Sequence, residues 1–237
     1  MTPKIIHLCW FSGDSYPVEI KACLKTWKKI LPDYQVKLWT MQDARDLNID
    51  FINGALDERR WAFASDVVRF FAVYKYGGVY MDSDIYLKRR FDEFLPDKED
   101  FCTFHEKIYP EHEGFGLQAA FFMGKPGNAF CKEMVDYYSS IPYRNEDGTV
   151  NELISPFVMR KLAVNHGYVS EDRELHLDCM TVYPTHFIAP RKRYDVDSET
   201  VGIHRVYGNW RKRKFGRRME IAFNHVVNVI KYYVFGI

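Results

Sequence analysis

Two acidic residues that directly follow a short apolar stretch are the clearest candidates for chemistry in this chain. The apolar residues 79–81 lead into Asp82, Ser83 and Asp84. In an extended strand, residues two apart point to the same side, so both carboxylates would face one site. Mg²⁺ and Mn²⁺ favour one or two carboxylates combined with phosphate oxygens. The pair therefore predicts a divalent metal site, for Mn²⁺ or Mg²⁺, that can also hold a diphosphate group.

A charged pair on the preceding segment is the second candidate. Residues 58–76 have the pattern of a long helix, on which Asp66 and Arg69 lie three residues apart and share a face. Apolar residues surround both on this helix, which indicates burial. Buried charges need partners, and a local ion pair is one alternative. We expect a bound sugar diphosphate to be the main partner, so that loss of Arg69 would reduce turnover far more than stability.

Strands and helices alternate in the first third of the chain, which would place these residues at one edge of a sheet. Residues 4–10, 35–39 and 79–81 have strand patterns, separated by helical patterns near 23–30 and over 58–76. This alternation predicts an α/β fold with a mostly parallel sheet and ligands at the carboxyl ends of the strands. The later patterns predict strands at 101–104 and 119–123, helices at 127–138 and 151–165, and loops at 108–117 and 142–150.

The composition is that of one globular domain. The chain has 237 residues, of which 47% are hydrophobic and 27% charged, and these values are ordinary for a soluble protein. The 5 cysteines are scattered and form no C-x-x-C pair, so we expect free thiols in a reducing compartment. We identify neither a signal-peptide pattern nor an uncharged apolar run of about 18 residues, and therefore expect a cytoplasmic location without a membrane-spanning helix.

Basic residues are concentrated near the C-terminus. The net charge is +1, yet residues 204–218 contain seven of the 33 Lys and Arg residues and no acid. Residues 219–237 then place apolar side chains at helical spacing beside a narrow polar stripe. We expect a domain over 1–210 and a basic, amphipathic extension over 211–237 that contacts an anionic membrane surface at the inner face of the cytoplasmic membrane. The alternative is a terminal helix packed on the domain, and no nucleic-acid partner is expected.

Three separated motifs occur in a fixed order along the chain. The first contains Pro3-Lys4-Ile5-Ile6-His7 and Trp10, the second contains Arg60, Ser65-Asp66, Arg69, Gly77-Gly78, Tyr80, Asp82 and Asp84, and the third contains His204 and Trp210. Together they resemble the signature of the DXD glycosyltransferases of the capsular polysaccharide synthesis group (glycosyltransferase family 32-like). The catalytic domains of the clostridial glucosylating toxins are similar. The resemblance extends from residue 3 to residue 210.

The resemblance implies both a fold and an activity. The fold would be GT-A-type, a single Rossmann-like domain followed by a C-terminal helical extension. The activity would be metal-dependent transfer of a sugar from a nucleotide-sugar, a UDP-sugar in preference to a GDP-sugar, to a glycan or lipid-linked glycan. Transfer with retention is implied, in capsular polysaccharide or lipopolysaccharide biosynthesis.

A donor site follows from the same resemblance, residue by residue. Trp10 would stack on the nucleotide base, and Asp66 and Arg69 would bind the donor sugar. Asp82 would contact ribose and sugar hydroxyls. Trp210 would close over the diphosphate.

The metal ligands and catalytic groups are implied in the same way. Asp84 would ligate the metal directly, with Asp82 and His204 beside it. Arg69, Asp82 and Asp84 would be the catalytic residues. No residue stands out as a covalent nucleophile, so catalysis would rest on electrostatic stabilisation of the departing diphosphate.

Two other function classes would use some of the same residues. A sugar-nucleotide-binding protein without catalysis would keep the whole donor site. A phosphatase of the HAD-like type also carries Asp-x-Asp after an apolar strand, but it has Thr or Val where this chain has Tyr86. That class would also leave the pair of Asp66 and Arg69 without a role.

Overall fold

A β-sheet forms the centre of the protein, and its strands bring the candidate residues to one edge of the sheet. The computed structural model describes residues 2–96, 100–107, 115–189, 196–206, 224–230 and 232. The described strands are β1 (Ile5–Cys9), β2 (Gln35–Trp39), β3 (Gly78–Met81), β4 (Ile85–Leu87), β5 (Phe101–Lys107), β6 (Phe115–Leu117), β7 (Phe121–Gly124), β8 (Leu175–His176), β9 (Met180–Tyr183), β10 (Ile188–Ala189) and β11 (Gly202–His204).

Within these residues, eight strands form a large sheet in the order β2-β1-β3-β7-β5-β9-β8, with β6 paired to β5. β1 pairs in parallel with β2 and β3, and β5 pairs in parallel with β9. β7 lies antiparallel between β3 and β5, so that β1, β2, β3, β5 and β9 all run in one direction. The predicted α/β class with a mostly parallel sheet is confirmed. Parallel neighbours end at the same edge, which brings the residues after β1 and β3 close together.

Helices cover both faces of this sheet. They are α1 (Val18–Ile30), α2 (Met41–Arg45), α3 (Asp50–Asp57), α4 (Trp61–Tyr76), α5 (Ala129–Ser139) and α6 (Ser155–Ala163). Successive residues of β3 point to opposite faces, so that Tyr80 joins the core under α3–α6 while Val79 and Met81 join the core on the side of α1. Stacked rings such as Phe70 and Phe122, with centroids 4.8 Å apart, fill the first core.

Several predicted boundaries change in the structure. The segment 50–57 forms the separate helix α3, and the long helix begins only at Trp61. The predicted loop 108–117 is wrong at residues 115–117, which pair with β5 as strand β6, and its residues 108–114 lie outside the described residues. The predicted strand 119–123 begins at Phe121, because residues 118–120 bend to connect β6 with β7.

Two glycines make the tight connection between α4 and β3. Gly77 ends the helix at φ 63° and Gly78 follows at φ 102°, values that side chains other than glycine rarely adopt. A Cβ on Gly78 would also lie 2.5 Å from the carbonyl oxygen of Ile5 on β1. The pair lets the chain leave a buried helix and enter the neighbouring strand at once. The residues after β3 are thereby fixed close to α4.

His7 in β1 holds this connection from the neighbouring strand. Its Nδ1 accepts a hydrogen bond from Nε1 of Trp39 (3.2 Å), so its Nε2 carries the proton and donates to the carbonyl oxygen of Gly77 (2.8 Å). Burial lowers the pKa of His7 from 6.5 to about 4, with Gly77 opposing this shift and Lys37 adding to it. The neutral ring is therefore a structural group of the core.

A second, three-stranded sheet brings a distant residue to the same edge. Among the described residues its order is β10-β11-β4. β11 runs antiparallel to β4, and His204 pairs opposite Ile85. Because Ile85 immediately follows Asp84, this register places His204 next to the acidic pair.

The C-terminal region is described over 224–230 and at residue 232, and residues 224–230 are helical. In this stretch, His225 and Asn228 contact Glu19 of α1. Of the helices that the structure describes, none combines the length and the hydropathy needed to cross a membrane.

Candidate active site

Asp82 and Asp84 lie in the turn between β3 and β4. The N–H of Ile85 donates to the carbonyl oxygen of Asp82 (3.0 Å), which closes this turn, and the N–H of Asp82 donates to the carbonyl oxygen of Ala120 (2.8 Å). The predicted convergence of the two carboxylates is confirmed, but the strand alternation expected to cause it is not present. The turn brings them together, because β3 ends at Met81.

His204 completes a cluster with these two carboxylates. One ligand atom from each of Asp82, Asp84 and His204 lies within 4.8 Å of the others. The Nε2 of His204 is 3.5 Å from Oδ1 of Asp84, and the two side chains are 16% and 13% exposed. The cluster is therefore accessible yet largely sheltered from water.

A divalent cation fits this donor set. Two carboxylates and one imidazole nitrogen suit Mn²⁺ or Mg²⁺ with further positions open to phosphate oxygens. Two ligand atoms that are each about 2.1 Å from one ion lie roughly 3 Å apart. The 3.5 Å between His204 and Asp84 is near this separation and longer than an ordinary hydrogen bond. When bound, such a cation would neutralise the charge of a diphosphate.

Arg69 lies beside this cluster and is 5% exposed. Its Nε donates to the carbonyl oxygen of Ser65 (2.9 Å), its Nη1 to that of Ala119 (2.8 Å), and its Nη2 to the hydroxyl of Ser65 (2.8 Å). Nη2 is also 3.0 Å from Oδ1 of Asp66 and 3.7 Å from Oδ1 of Asp82. The expected burial of Arg69 is confirmed, and the local ion pair with Asp66 that the sequence left as an alternative is present. The protein itself pairs the guanidinium, because α4 packs directly against β3 and the bend at 118–120.

Asp66 is also paired within the protein. Its carboxylate accepts hydrogen bonds from the hydroxyl (2.6 Å) and the backbone N–H (3.1 Å) of Ser155, the first residue of α6. Burial raises the pKa of the Asp66 carboxyl, while Arg69 and Ser155 oppose this shift. Asp66 thus joins the start of α6 to the guanidinium of Arg69.

Tyr80 holds one oxygen of Asp82. Its hydroxyl donates to Oδ1 of Asp82 at 2.6 Å, and its ring lies 4.8 Å from the guanidinium carbon of Arg69. Burial raises the pKa of Tyr80 well above its ordinary value, which keeps the phenol protonated as a donor. Asp82 is the most exposed member of this group, with 28% of its side chain accessible.

Trp10 follows the end of β1 at the same edge of the sheet. Its backbone N–H donates to the carbonyl oxygen of Trp39 (3.0 Å), and its indole N–H donates to that of Asp14 (2.8 Å). The ring makes an edge contact with Tyr16, with centroids 4.8 Å apart. Because β1 pairs in parallel with β3, Trp10 and Asp82 follow the ends of neighbouring strands. Trp210, the other predicted aromatic residue of the donor site, lies outside the described residues.

Three supporting groups were not expected from the sequence. They are the hydroxyl of Ser155 and the backbone carbonyls of Ala119 and Ala120. Ser155 lies 89 residues from its partner Asp66 in the sequence. The residue type does not indicate which backbone carbonyls will accept hydrogen bonds at the site. Only Tyr80 was signalled in advance, by its place in the central motif.

Residues 1–181 match the family model described as Capsular polysaccharide synthesis protein. The chain belongs to this family. The match includes Trp10, Asp66, Arg69 and the acidic turn, whereas His204 lies beyond it. The predicted resemblance is confirmed by this match.

Two curated relatives come from Schizosaccharomyces pombe (strain 972 / ATCC 24843). Inositol phosphoceramide mannosyltransferase 3 is 33% identical over 97 residues, which are 39% of this chain and 27% of that protein. Inositol phosphoceramide mannosyltransferase 1 is 28% identical over 153 residues, which are 60% of this chain and 44% of that protein. This family member therefore spans less than half the length of both relatives.

A solved structure shows the fold. PaToxG glycosyltransferase is similar with a TM-score of 0.54 and 17% sequence identity, over 69% of this chain and 69% of that chain. The predicted GT-A-type fold is confirmed by this likeness and by the sheet described above.

Proposed function

We propose that this protein is a metal-dependent glycosyltransferase that moves a sugar from a nucleotide-sugar to a glycan or lipid-linked glycan. The observation that carries the proposal is the cluster of Asp82, Asp84 and His204 beside the buried guanidinium of Arg69. A departing nucleoside diphosphate gains negative charge, and a divalent cation and a guanidinium both stabilise it. Membership of the capsular polysaccharide synthesis family supports a role in polysaccharide or lipopolysaccharide biosynthesis.

The internal partners of Arg69 support electrostatic catalysis. Because Ser65 and Ala119 of the protein itself hold the guanidinium, its charge is preorganised for the reaction. We propose front-face transfer with retention, in which Asp84, Asp82 and His204 hold Mn²⁺ or Mg²⁺. In this proposal Arg69, Asp82 and Asp84 are the catalytic residues.

For the donor, we propose that Trp10 contacts the base, Asp82 the ribose and sugar hydroxyls, and Asp66 and Arg69 the sugar. The position of Trp10 one strand from Asp82 supports this arrangement. We also propose that Trp210 closes over the diphosphate. A UDP-sugar is the proposed donor, and a GDP-sugar is the alternative.

For the acceptor, the names of the two curated relatives refer to mannose transfer and to a phosphoceramide. They support a lipid-linked acceptor for this chain, and they make GDP-mannose the most important GDP-sugar to test. The second candidate function is a sugar-nucleotide-binding protein without catalysis. It remains a candidate because the proposed binding and catalytic residues are largely the same.

A donor panel separates these two functions. Purified protein is mixed with UDP-glucose, UDP-galactose, UDP-N-acetylglucosamine or GDP-mannose, with Mn²⁺ or with excess EDTA. We expect slow, Mn²⁺-dependent hydrolysis of one donor, measured as free sugar. Binding of a donor by calorimetry without hydrolysis would indicate the silent protein. Hydrolysis that is equally fast in EDTA would contradict the metal site.

We also propose that the C-terminal extension contacts an anionic membrane face, which places the enzyme peripherally at the inner face of the cytoplasmic membrane. Within the described stretch, His225 and Asn228 turn toward Glu19 of α1, while Val226 and Ile230 remain 56% and 50% exposed. Two polar side chains of this helix thus contact the domain, and two apolar side chains are exposed. Together with the basic sequence of 204–218, this orientation supports contact with lipid.

Liposome flotation tests this contact with the full-length chain. We expect wild-type protein to float with vesicles that contain anionic lipid at low salt, and Val226→Asp/Ile230→Asp to remain at the bottom. The matched control is Val164→Asp/Val169→Asp, since these side chains are similarly exposed elsewhere (57% and 41%). Equal flotation of both double variants would refute the proposed surface.

A further inference from the structure

The bend between β6 and β7 contacts both elements that carry the candidate active site. It consists of residues 118–120. The carbonyl oxygen of Ala119 accepts a hydrogen bond from Nη1 of Arg69 (2.8 Å), and that of Ala120 accepts one from the N–H of Asp82 (2.8 Å). Two successive carbonyls of one bend therefore fix a residue of α4 and a residue of the turn after β3.

Gln118 shapes this bend from within. Its side-chain Oε1 accepts a hydrogen bond from the N–H of Ala120 at 3.0 Å, and the residue is 4% exposed. Its own backbone is attached to β5, because its N–H donates to the carbonyl oxygen of Phe104 (2.8 Å) and its carbonyl accepts from the hydroxyl of Thr103 (2.9 Å). The side chain thus joins the end of the bend to a fixed point in the sheet.

We propose that Gln118 is a positioning residue for sugar transfer, which acts through Ala119 and Ala120 on Arg69 and Asp82. The inference rests on the proposed function, because that function assigns the diphosphate and the donor to these two residues. Without the Gln118 oxygen, the buried N–H of Ala120 would lose its partner, and the bend would relax to find another. Both carbonyls would then move, and displacements of about 1 Å at catalytic groups can reduce rates by roughly a hundredfold.

Two substitutions separate the acceptor oxygen from the bulk of the side chain. Gln118→Met keeps the length and removes the acceptor, whereas Gln118→Glu keeps an acceptor oxygen. We expect Gln118→Met to lower kcat for donor hydrolysis about tenfold, the rate equivalent of one buried hydrogen bond, with a smaller change in KM. Gln118→Glu should be several-fold more active than Gln118→Met. The donor is whichever member of the UDP- and GDP-sugar panel the wild-type protein hydrolyses.

Thr103→Val is the matched control. It removes a buried hydrogen bond to the same residue but leaves the bond between Gln118 and Ala120 in place. We expect a lower melting temperature with kcat within about twofold of wild type, since the bend keeps its internal bond. An equal loss of kcat in Thr103→Val and Gln118→Met would mean that Gln118 matters only for folding, and would overturn the proposal.

Hydrogen exchange gives a readout that does not depend on activity. In Gln118→Met, the amides of Ala120 and Asp82 should exchange faster than in wild type, while those of β1 should be unchanged. Unchanged exchange at both amides would overturn the proposal even if no donor were hydrolysed. If exchange changes as expected but wild-type protein hydrolyses no donor, the structural link stands and the proposed function fails. Equal activity of Gln118→Glu and Gln118→Met would also refute the role of the acceptor oxygen.

Discussion

Replacement of Arg69 by methionine should destabilise the protein strongly, although the residue is proposed to act in catalysis. The side chain is 5% exposed and bonded to Ser65, Ala119 and Asp66. Its loss would leave the Asp66 carboxylate buried without its cation, and breaking a buried pair in this way costs about 3–5 kcal/mol. For a chain of this size, such a loss lowers the melting temperature by about 10 °C. This prediction replaces the expectation that loss of Arg69 would reduce turnover far more than stability.

Urea unfolding at pH 7, followed by tryptophan fluorescence, measures this loss. The matched control is Arg45→Met, because Arg45 and Asp57 form an ion pair with side chains 37% and 66% exposed, and such pairs contribute about 0–1 kcal/mol. Asp66→Asn combined with Arg69→Met should recover part of the stability, since it removes the stranded charge. A loss below about 1 kcal/mol for Arg69→Met, or no recovery in the double variant, would refute the reasoning.

Two further predictions concern metal and pH. Asp84→Asn should abolish Mn²⁺-dependent donor hydrolysis while the circular dichroism spectrum stays unchanged. The control variant Asp136→Asn removes a carboxylate from an exposed ion pair and should keep full activity. Activity in Asp84→Asn would argue against the metal site. Burial lowers the pKa of His7 from 6.5 to about 4. The contribution of the neutral His7 ring to the free energy of unfolding is therefore fully present above pH 6.5 and is lost as the pH falls toward 4. Wild-type protein should therefore lose about 3 kcal/mol more than His7→Gln over this window in urea titrations, and parallel losses would contradict it.

The sequence predicted the acidic pair well but assigned the wrong local geometry. Asp82 and Asp84 were expected to converge through strand alternation, yet the strand ends before them and a turn brings them together. Both geometries place residues two apart near one another, so the residue pattern could not distinguish them. The double glycine at the start of β3 was the more reliable signal, because both residues adopt positive φ angles that favour glycine.

The partners of Arg69 mark the limit of what the sequence could predict. Its burial followed from the apolar residues around it, and its distance of three residues from Asp66 was visible directly. Ser155 and Ala119 become neighbours only when α6 and the bend at 118–120 pack against α4. Such contacts depend on tertiary structure and on backbone atoms. The spacing of residue types along the sequence therefore cannot predict them.

The register between β4 and β11 makes the candidate metal cluster a long-range contact of the chain. Asp84 and His204 face each other only because His204 pairs opposite Ile85, with roughly 120 residues of chain closed between them. A cation shared by these residues would act as a reversible cross-link between distant parts of the sequence. Its binding energy would add to the stability of the folded state and rise with ion concentration. Because Asp82 and Asp84 precede β4 whereas His204 lies in β11, separation of β11 from β4 would remove one of the three candidate ligands.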